Sequence, residues 1–328
     1  MGNRQLAVVV GVLVAIAVVA LAGRAITFQS ESVIISDVPE LTETSLDRVV
    51  IRNNEFETVV DKVGGEWRVG QYPVVRNRFE DMWATTAMFQ KAELIARNPE
   101  NHSIMGVAAE NGTFVEFWKD DELVDEFFIG DQQFAPIGER MIKPWTVFVR
   151  TCFLRRPDSD DVFGIFCDFP DRFPTDPKFW RNPIIAEIPR DEIQVVRFRY
   201  SDEEFELELN NSVWTLTGGQ FNKEPADSQV MVELLQYLEM LVASDFPTED
   251  EVSRLDFSIA DITLELDVRP GSTSRSARVL FMRRDEGGFF VKRSDQAYAY
   301  ILEDDLAIHV LKKIADFVVE VDVPSPTQ

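Results

Sequence analysis

The stretch that decides the fold is FELELNNSVWTL, residues 205–216. Apolar side chains alternate with glutamates in its first half, and a second short run, Val213-Trp214-Thr215-Leu216, follows after a break. A period of two is typical of a strand that buries one face. Asparagines such as Asn210 and Asn211 are common turn residues because they tolerate left-handed backbone conformations. The stretch therefore predicts an antiparallel hairpin.

The same order of elements occurs earlier in the chain. Residues 56–60 read FETVV, and a Gly64-Gly65 turn follows. Trp67 then takes the place that Trp214 holds in the later copy. Self-similarity of this kind indicates an internal repeat.

Each copy continues into a segment with apolar residues at helical spacing. In the second copy Pro225 precedes Asp227, which we expect to cap a helix over residues 228–243. The counterpart in the first copy covers residues 78–96, and a last helix is expected over residues 304–317. The fold class predicted is α+β, with two tandem similar repeats, each an antiparallel sheet packed with one or two helices.

A run of about 18 apolar residues at positions 6–23 is close to the span of a bilayer core. Arg4 and Arg24 flank it. We expect one N-terminal transmembrane helix in front of the repeats or, as the alternative, a cleaved signal peptide. The predicted organisation is an anchor or signal peptide at 1–24, a linker at 25–44, a first repeat at 45–188, a second repeat at 189–320 and a tail at 321–328.

The chain is strongly acidic. It carries 57 Asp and Glu against 33 Lys and Arg, a formal net charge of −24. Such a charge repels phosphate backbones, which argues against a nucleic-acid-binding protein. Since 45% of the residues are hydrophobic, the chain can also bury large cores.

No sequence motif for catalysis or cofactor binding stands out. His309, on the last helix, is expected to be structural, and His102, in a polar loop, is expected in a solvated turn. The acidic loop at residues 157–161 is interpreted as a solvated hairpin tip, with a calcium site as the alternative. We predict no catalytic residue, no cofactor and no metal ligand.

Two further features concern cysteines and aromatic residues. Cys152 and Cys167 would form a disulfide if they lie on adjacent strands and would otherwise stay buried thiols. A dense aromatic cluster follows them. It is interpreted either as packing between the two copies or as a patch for a partner, formed by Phe169, Phe173, Phe179 and Trp180.

Several short motifs occur in a fixed order along the chain. They are the strands that open at Trp67 and Trp214, the Pro225-Ala226-Asp227 step, Phe128-Ile129-Gly130-Asp131, and residues 173–181 leading into the strand at Asp191. This order resembles the bacterial family called domain of unknown function 4340, in two tandem copies that cover nearly all of the chain after the linker. The first copy departs from the pattern, with Pro73-Val74-Val75 in place of Pro-Ala-Asp.

The resemblance implies a role in the bacterial envelope. Members are often encoded beside an ABC-type ATPase, a permease and a gliding-motility-type auxiliary protein. We therefore expect a non-enzymatic, membrane-anchored, extracytoplasmic accessory or scaffold component of an ABC-transport system. It would be a single-pass protein of the inner membrane with its body facing the periplasm. The alternative is an extracytoplasmic binding module for a lipid or a polysaccharide.

Overall fold

The computed structural model describes residues 33–134, 150–166 and 172–319. The chain forms two compact units. Unit 1 comprises Met1–Glu57 and Glu80–Thr175, and unit 2 comprises Thr58–Phe79 and Asp176–Gln328.

The strands, in chain order, are β1 (Arg48–Arg52), β2 (Glu57–Val63), β3 (Glu66–Val69), β4 (Tyr72–Pro73), β5 (Glu93–Ala96), β6 (Thr113–Lys119), β7 (Glu122–Phe134), β8 (Arg150–Arg155), β9 (Val162–Phe166), β10 (Ile184–Glu187), β11 (Ile193–Arg199), β12 (Glu204–Asn210), β13 (Val213–Gly218), β14 (Phe221–Pro225), β15 (Met240–Val242), β16 (Ile262–Val268), β17 (Ala277–Arg283), β18 (Phe289–Arg293) and β19 (Tyr300–Leu302). The α-helices are α1 (Arg76–Thr86), α2 (Ser228–Glu239), α3 (Glu249–Val252) and α4 (Asp304–Val310).

The sheet of unit 1 runs in the order β1-β6-β7-β8-β9-β5, with antiparallel neighbours. Alternate side chains point into its core, where Val115, Phe117 and Phe127 are fully buried. Phe89 closes this core, with its ring centroid 5.2 Å from that of Phe127. The opposite face of the sheet is the outward face on which the candidate site lies.

Unit 2 contains an eight-stranded antiparallel sheet in the order β14-β13-β12-β11-β16-β17-β18-β19. Helix α2 packs on its core face and buries Met231, Leu234 and Leu238. Segment β2-β3-β4 of the same unit consists of antiparallel hairpins.

The strand order of the first half of the chain recurs in the second half. In unit 1, β1-β6-β7-β8-β9 follow one another in the sheet just as β11-β16-β17-β18-β19 do in unit 2. The hairpin run β2-β3-β4 likewise has the order of β12-β13-β14. The predicted domain boundaries at 45–188 and 189–320 stay a prediction.

The predicted α+β class is wrong, because antiparallel sheet dominates the described residues and the helices are few and short. The helix expected over 228–243 ends at Glu239, since residues 240–242 form β15 and pair with β10. The segment 78–96 holds a helix only up to Thr86 and ends in strand β5, which pairs with β9. The last helix ends at Val310, and a separate 3-10 turn follows at Ile314–Phe317.

The membrane prediction also requires correction. Within the described ranges, no helix is both long enough and apolar enough to cross a bilayer. This finding contradicts the predicted transmembrane helix and, with it, the predicted place in the inner membrane with a periplasmic body. The apolar run at residues 6–23, on which the prediction depended, lies outside the described residues.

Candidate functional site

Four side chains form a continuous row across the outward face of the unit 1 sheet. Arg52 on β1 lies directly opposite Phe114 on β6, Phe114 opposite Phe128 on β7, and Phe128 opposite Arg155 on β8. The two phenyl centroids are 4.8 Å apart. Each guanidinium carbon lies 4.7 Å from the nearer ring centroid, a cation–π distance. We call this set the Arg–Phe–Phe–Arg row.

The alternation of the strands places these rings outward. Val115 and Phe127 are the neighbours of the two row phenylalanines, and both are fully buried in the core. Since successive side chains of a strand point to opposite faces, Phe114 and Phe128 must face away from that core. Both are half-buried. The sheet thus holds a pair of aromatic rings on the face that antiparallel sheets usually leave polar.

Arg155 anchors one end of the row. Its side chain is almost fully buried, with the residue 7% exposed. Its Nε donates to the carbonyl oxygen of Val107 at 2.9 Å, and its Nη1 donates to those of Pro157 at 3.3 Å and Ser159 at 3.1 Å. Burial lowers the pKa of this guanidinium, while Asp160 and Glu110 raise it. The cation is therefore fixed by carbonyl oxygens and holds the flanking loops in place.

The loop at residues 102–112 forms one wall of the site. It packs so closely on β7 that a side chain at Gly130 would collide with the carbonyl oxygen of Met105. Asn54 secures the loop from the other side, because its Nδ2 donates to the Glu110 carbonyl oxygen at 2.7 Å. His102 is buried here, with its Nε2 3.0 Å from the Asp160 carbonyl oxygen.

An open cavity of about 260 Å³ lies between the row and this wall. Its surface is mostly apolar, and its lining residues include two asparagines and one arginine. The lining residues are Arg52, Asn53, Asn54, Ala109, Gly112, Phe114, Phe128 and Pro157.

A pair of carboxylates occupies the next row on the same face. Glu116 lies directly opposite Glu126. A nitrogen of Arg52, Nη2, donates to Glu116 Oε1 at 3.1 Å. Burial raises the pKa of Glu126, the like charges of Glu116, Asp125 and Asp158 raise it further, and Arg52 lowers it. Like charges directly opposite in a sheet are unfavourable, so this pair costs folding free energy.

The corresponding outward face of unit 2 has a different character. Its side chains alternate in charge across the strands, from Glu206 through Arg197 and Glu265 to Arg278. Arg197 Nε lies 2.5 Å from Glu206 Oε2, and Arg278 Nε lies 2.8 Å from Glu265 Oε1. Such a face neutralises its own charges and suits exposure to water. The aromatic pair of unit 1 has no counterpart among these four positions.

Comparisons with family models, with curated proteins and with solved structures find no match to this chain. The site is therefore interpreted from its own geometry.

The aromatic residues that the sequence singled out are not gathered at the surface. Phe173 is buried in unit 1, with its ring centroid 6.1 Å from that of Phe89. Trp180 is fully buried in unit 2, and Phe179 is exposed beside the guanidinium of Arg78. Phe169 lies outside the described residues.

The repeat markers have structural roles. Trp67 is buried on β3 against Phe79, whereas Trp214 is half-buried on β13. Asp227 caps helix α2 by accepting hydrogen bonds from the backbone N–H groups of residues 229 and 230. Pro225 ends β14 and lines a second cavity, of about 290 Å³, in unit 2.

The remaining candidates are structural where they are described. Cys152 takes part in a disulfide bond, but Cys167 lies outside the described residues, so their pairing stays a prediction. His309 stacks on Tyr237, with centroids 4.4 Å apart. Among the described residues, no group of three or more His, Cys, Asp and Glu side chains is placed to hold a metal ion.

Proposed function

We propose that this protein is a non-enzymatic accessory or scaffold protein that binds another protein through the outward face of unit 1. The observation that carries this proposal is the Arg–Phe–Phe–Arg row. Aromatic residues and arginine are enriched at the energetic centres of protein interfaces. Here they lie in one row beside a cavity, on the sheet face where water would otherwise favour polar side chains.

The comparison of the two units supports the choice of surface. In unit 2 the neighbouring outward side chains of Glu206, Arg197, Glu265 and Arg278 form matched ion pairs, whereas the row of unit 1 has two phenyl rings at its centre. Surface ion pairs add little binding energy because water screens them. Unit 1 instead offers apolar area whose burial by a partner is favourable.

The size of the cavity favours a protein over the alternative of a lipid or polysaccharide ligand. Pockets for small molecules typically occupy about 300–1,000 Å³. The cavity at the row, about 260 Å³, lies just below the lower end of that range. Its volume and its open shape suit a single side chain projecting from a flat partner surface.

The identity of the partner rests on the family resemblance alone. That resemblance makes a permease and ATPase of an ABC-transport system, with their auxiliary protein, the partners to examine first.

Site-specific photocrosslinking in the native cells tests the proposal. The photoreactive residue benzoyl-phenylalanine replaces Phe114 in the full-length chain. A matched control carries it at Leu280, on the outward face of β17 in unit 2. We expect a discrete crosslinked protein from position 114 and none from position 280. Equal crosslinking at the two positions, or none at position 114, would overturn the proposal.

A further inference from the structure

We infer that the partner presents a basic segment to this site, with an apolar side chain in the cavity and a lysine or arginine against Glu126. The inference rests on the proposed function and deepens it, because it names the chemistry of the partner surface. Three properties of the unit 1 face carry it.

The first property is the apolar cavity beside the row. Phe114, Phe128, Ala109 and Pro157 line the cavity, whose surface is mostly apolar. One aliphatic or aromatic side chain can enter a space of this size, and its burial contributes about 1.5–3 kcal/mol. Asn53 and Asn54 also line the cavity, and their side chains bond to the protein itself: Asn54 Nδ2 donates to the Glu110 carbonyl oxygen, and Asn53 Oδ1 accepts from the backbone N–H groups of Glu55 and Phe56.

The second property is an unbalanced negative charge beside that cavity. Arg52 pairs with Glu116 at 3.1 Å and approaches Glu57 at 4.0 Å. Within the described part of the chain, the Glu126 carboxylate forms no ion pair, although it lies directly opposite Glu116. A cation from a partner would therefore relieve an existing repulsion as well as form a new contact.

The third property is the position of Glu126. It precedes Phe128 by two residues on the same face of β7, which corresponds to about 7 Å along a strand. A basic residue close in sequence to the inserted apolar side chain can span that distance. The raised pKa of Glu126 agrees with this arrangement, because burial and like charges, not a cation of its own, dominate its surroundings.

The arginines do not make the site a receptor for an anion. Arg52 already interacts with two carboxylates. The buried guanidinium of Arg155 already donates its hydrogen bonds to backbone carbonyl oxygens. Glu110 and Asp158 add further negative charge near the cavity. The net charge of −24 also favours a basic partner, because it attracts positive charge over longer distances.

The test starts from the crosslink at position 114. Mass spectrometry identifies the partner peptide that carries it, and the same experiment is repeated with Glu126→Lys in the chain. A control carries the same charge change at Glu204, an exposed residue of β12 in unit 2. We expect a lysine or arginine next to the crosslinked apolar residue. The yield should fall about tenfold or more with Glu126→Lys and little with Glu204→Lys.

The outcomes separate the inference from the proposed function. A partner peptide without a basic residue, or a yield that Glu126→Lys leaves unchanged, overturns the inference while the protein-binding role stands. An absence of any crosslinked protein at position 114 overturns both.

Discussion

Glu192 illustrates how single side chains fix the loops of this protein. Its carboxylate accepts hydrogen bonds from the hydroxyl of Ser272, from the backbone N–H of Ser274 at 3.3 Å and from the hydroxyl of Thr273 at 3.4 Å. These bonds, chiefly that from Ser272, lower the pKa of Glu192 to about 2. The hairpin loop between β16 and β17 is thereby tied to the residue that precedes β11.

We predict that Glu192 makes the stability of unit 2 dependent on pH. An unfolded glutamate titrates near pH 4.3, so the stabilisation is present above about that pH. It is lost as the pH falls toward 2, because the folded protein must then bind the proton too. Glu192→Gln should lower the urea midpoint at pH 7, and its difference from the natural chain should narrow between pH 5 and pH 2.

Ser272, which donates a hydrogen bond to Glu192, allows a second test of that pH dependence. Ser272→Ala removes the hydroxyl that contributes most to the lowered pKa of Glu192. It should reduce the same pH dependence while leaving the carboxylate in place. A difference between Glu192→Gln and the natural chain that stays constant over this pH range would contradict the assignment.

Arg155 should be more important for stability than an exposed arginine. Arg155→Lys keeps a positive charge but cannot reproduce the fork that reaches the Val107, Pro157 and Ser159 carbonyl oxygens. We expect a loss of about 2–3 kcal/mol in unfolding free energy, because hydrogen bonds from a charged group are lost in a buried site. The matched change Arg199→Lys, at an exposed ion pair with Glu204, should cost less than about 0.5 kcal/mol. Equal urea midpoints for the two variants would refute the anchoring role of Arg155.

At the scale of elements, the sequence indicated strands better than helices. The alternation in FELEL and the turn at Asn210-Asn211 correspond to β12, β13 and the bend between them, where Asn211 has a φ of 48°. The helix expected over 228–243 was too long because apolar residues near Leu241 also suit a strand. The helix ends at Glu239 because residues 240–242 pair with β10, which is distant in sequence. Local periodicity cannot contain such information.

The candidate site was missed for the same reason. Its four row residues come from four strands, and each looks ordinary in its own segment. One local indication was present, since consecutive phenylalanines at 127 and 128 must place one ring on each face of a strand. Which ring would be outward, and what would lie opposite it, depends on strand register.

The loop that forms the cavity wall depends on a missing side chain in β7. Gly130→Ala would place a methyl group against the Met105 carbonyl oxygen, and the loop would have to move. We expect a destabilisation of about 1–3 kcal/mol, typical of overpacking a buried position. Hydrogen exchange should show faster exchange confined to residues 102–112. Unchanged stability together with unchanged exchange would mean that the loop does not need this close approach.

For the whole molecule, the two units show one strand order with two different outward faces. Unit 2 balances Glu206, Arg197, Glu265 and Arg278 against one another. Unit 1 places two phenyl rings between two arginines on the outward face of its sheet. This difference within a single chain supports the assignment of binding to unit 1. It also supplies an internal control for every experiment on the site.

Quantitative affinity purification of the full-length chain is the most direct test of whether the Arg–Phe–Phe–Arg row binds a protein. Phe114→Thr combined with Phe128→Thr removes both rings but keeps residues that favour strands. Leu280→Thr makes the matched change on unit 2, and urea midpoints verify that both variants fold. We predict that the double variant loses about tenfold or more of the protein that co-purifies with the natural chain, whereas Leu280→Thr retains it. Equal recovery from the two variants would contradict the account.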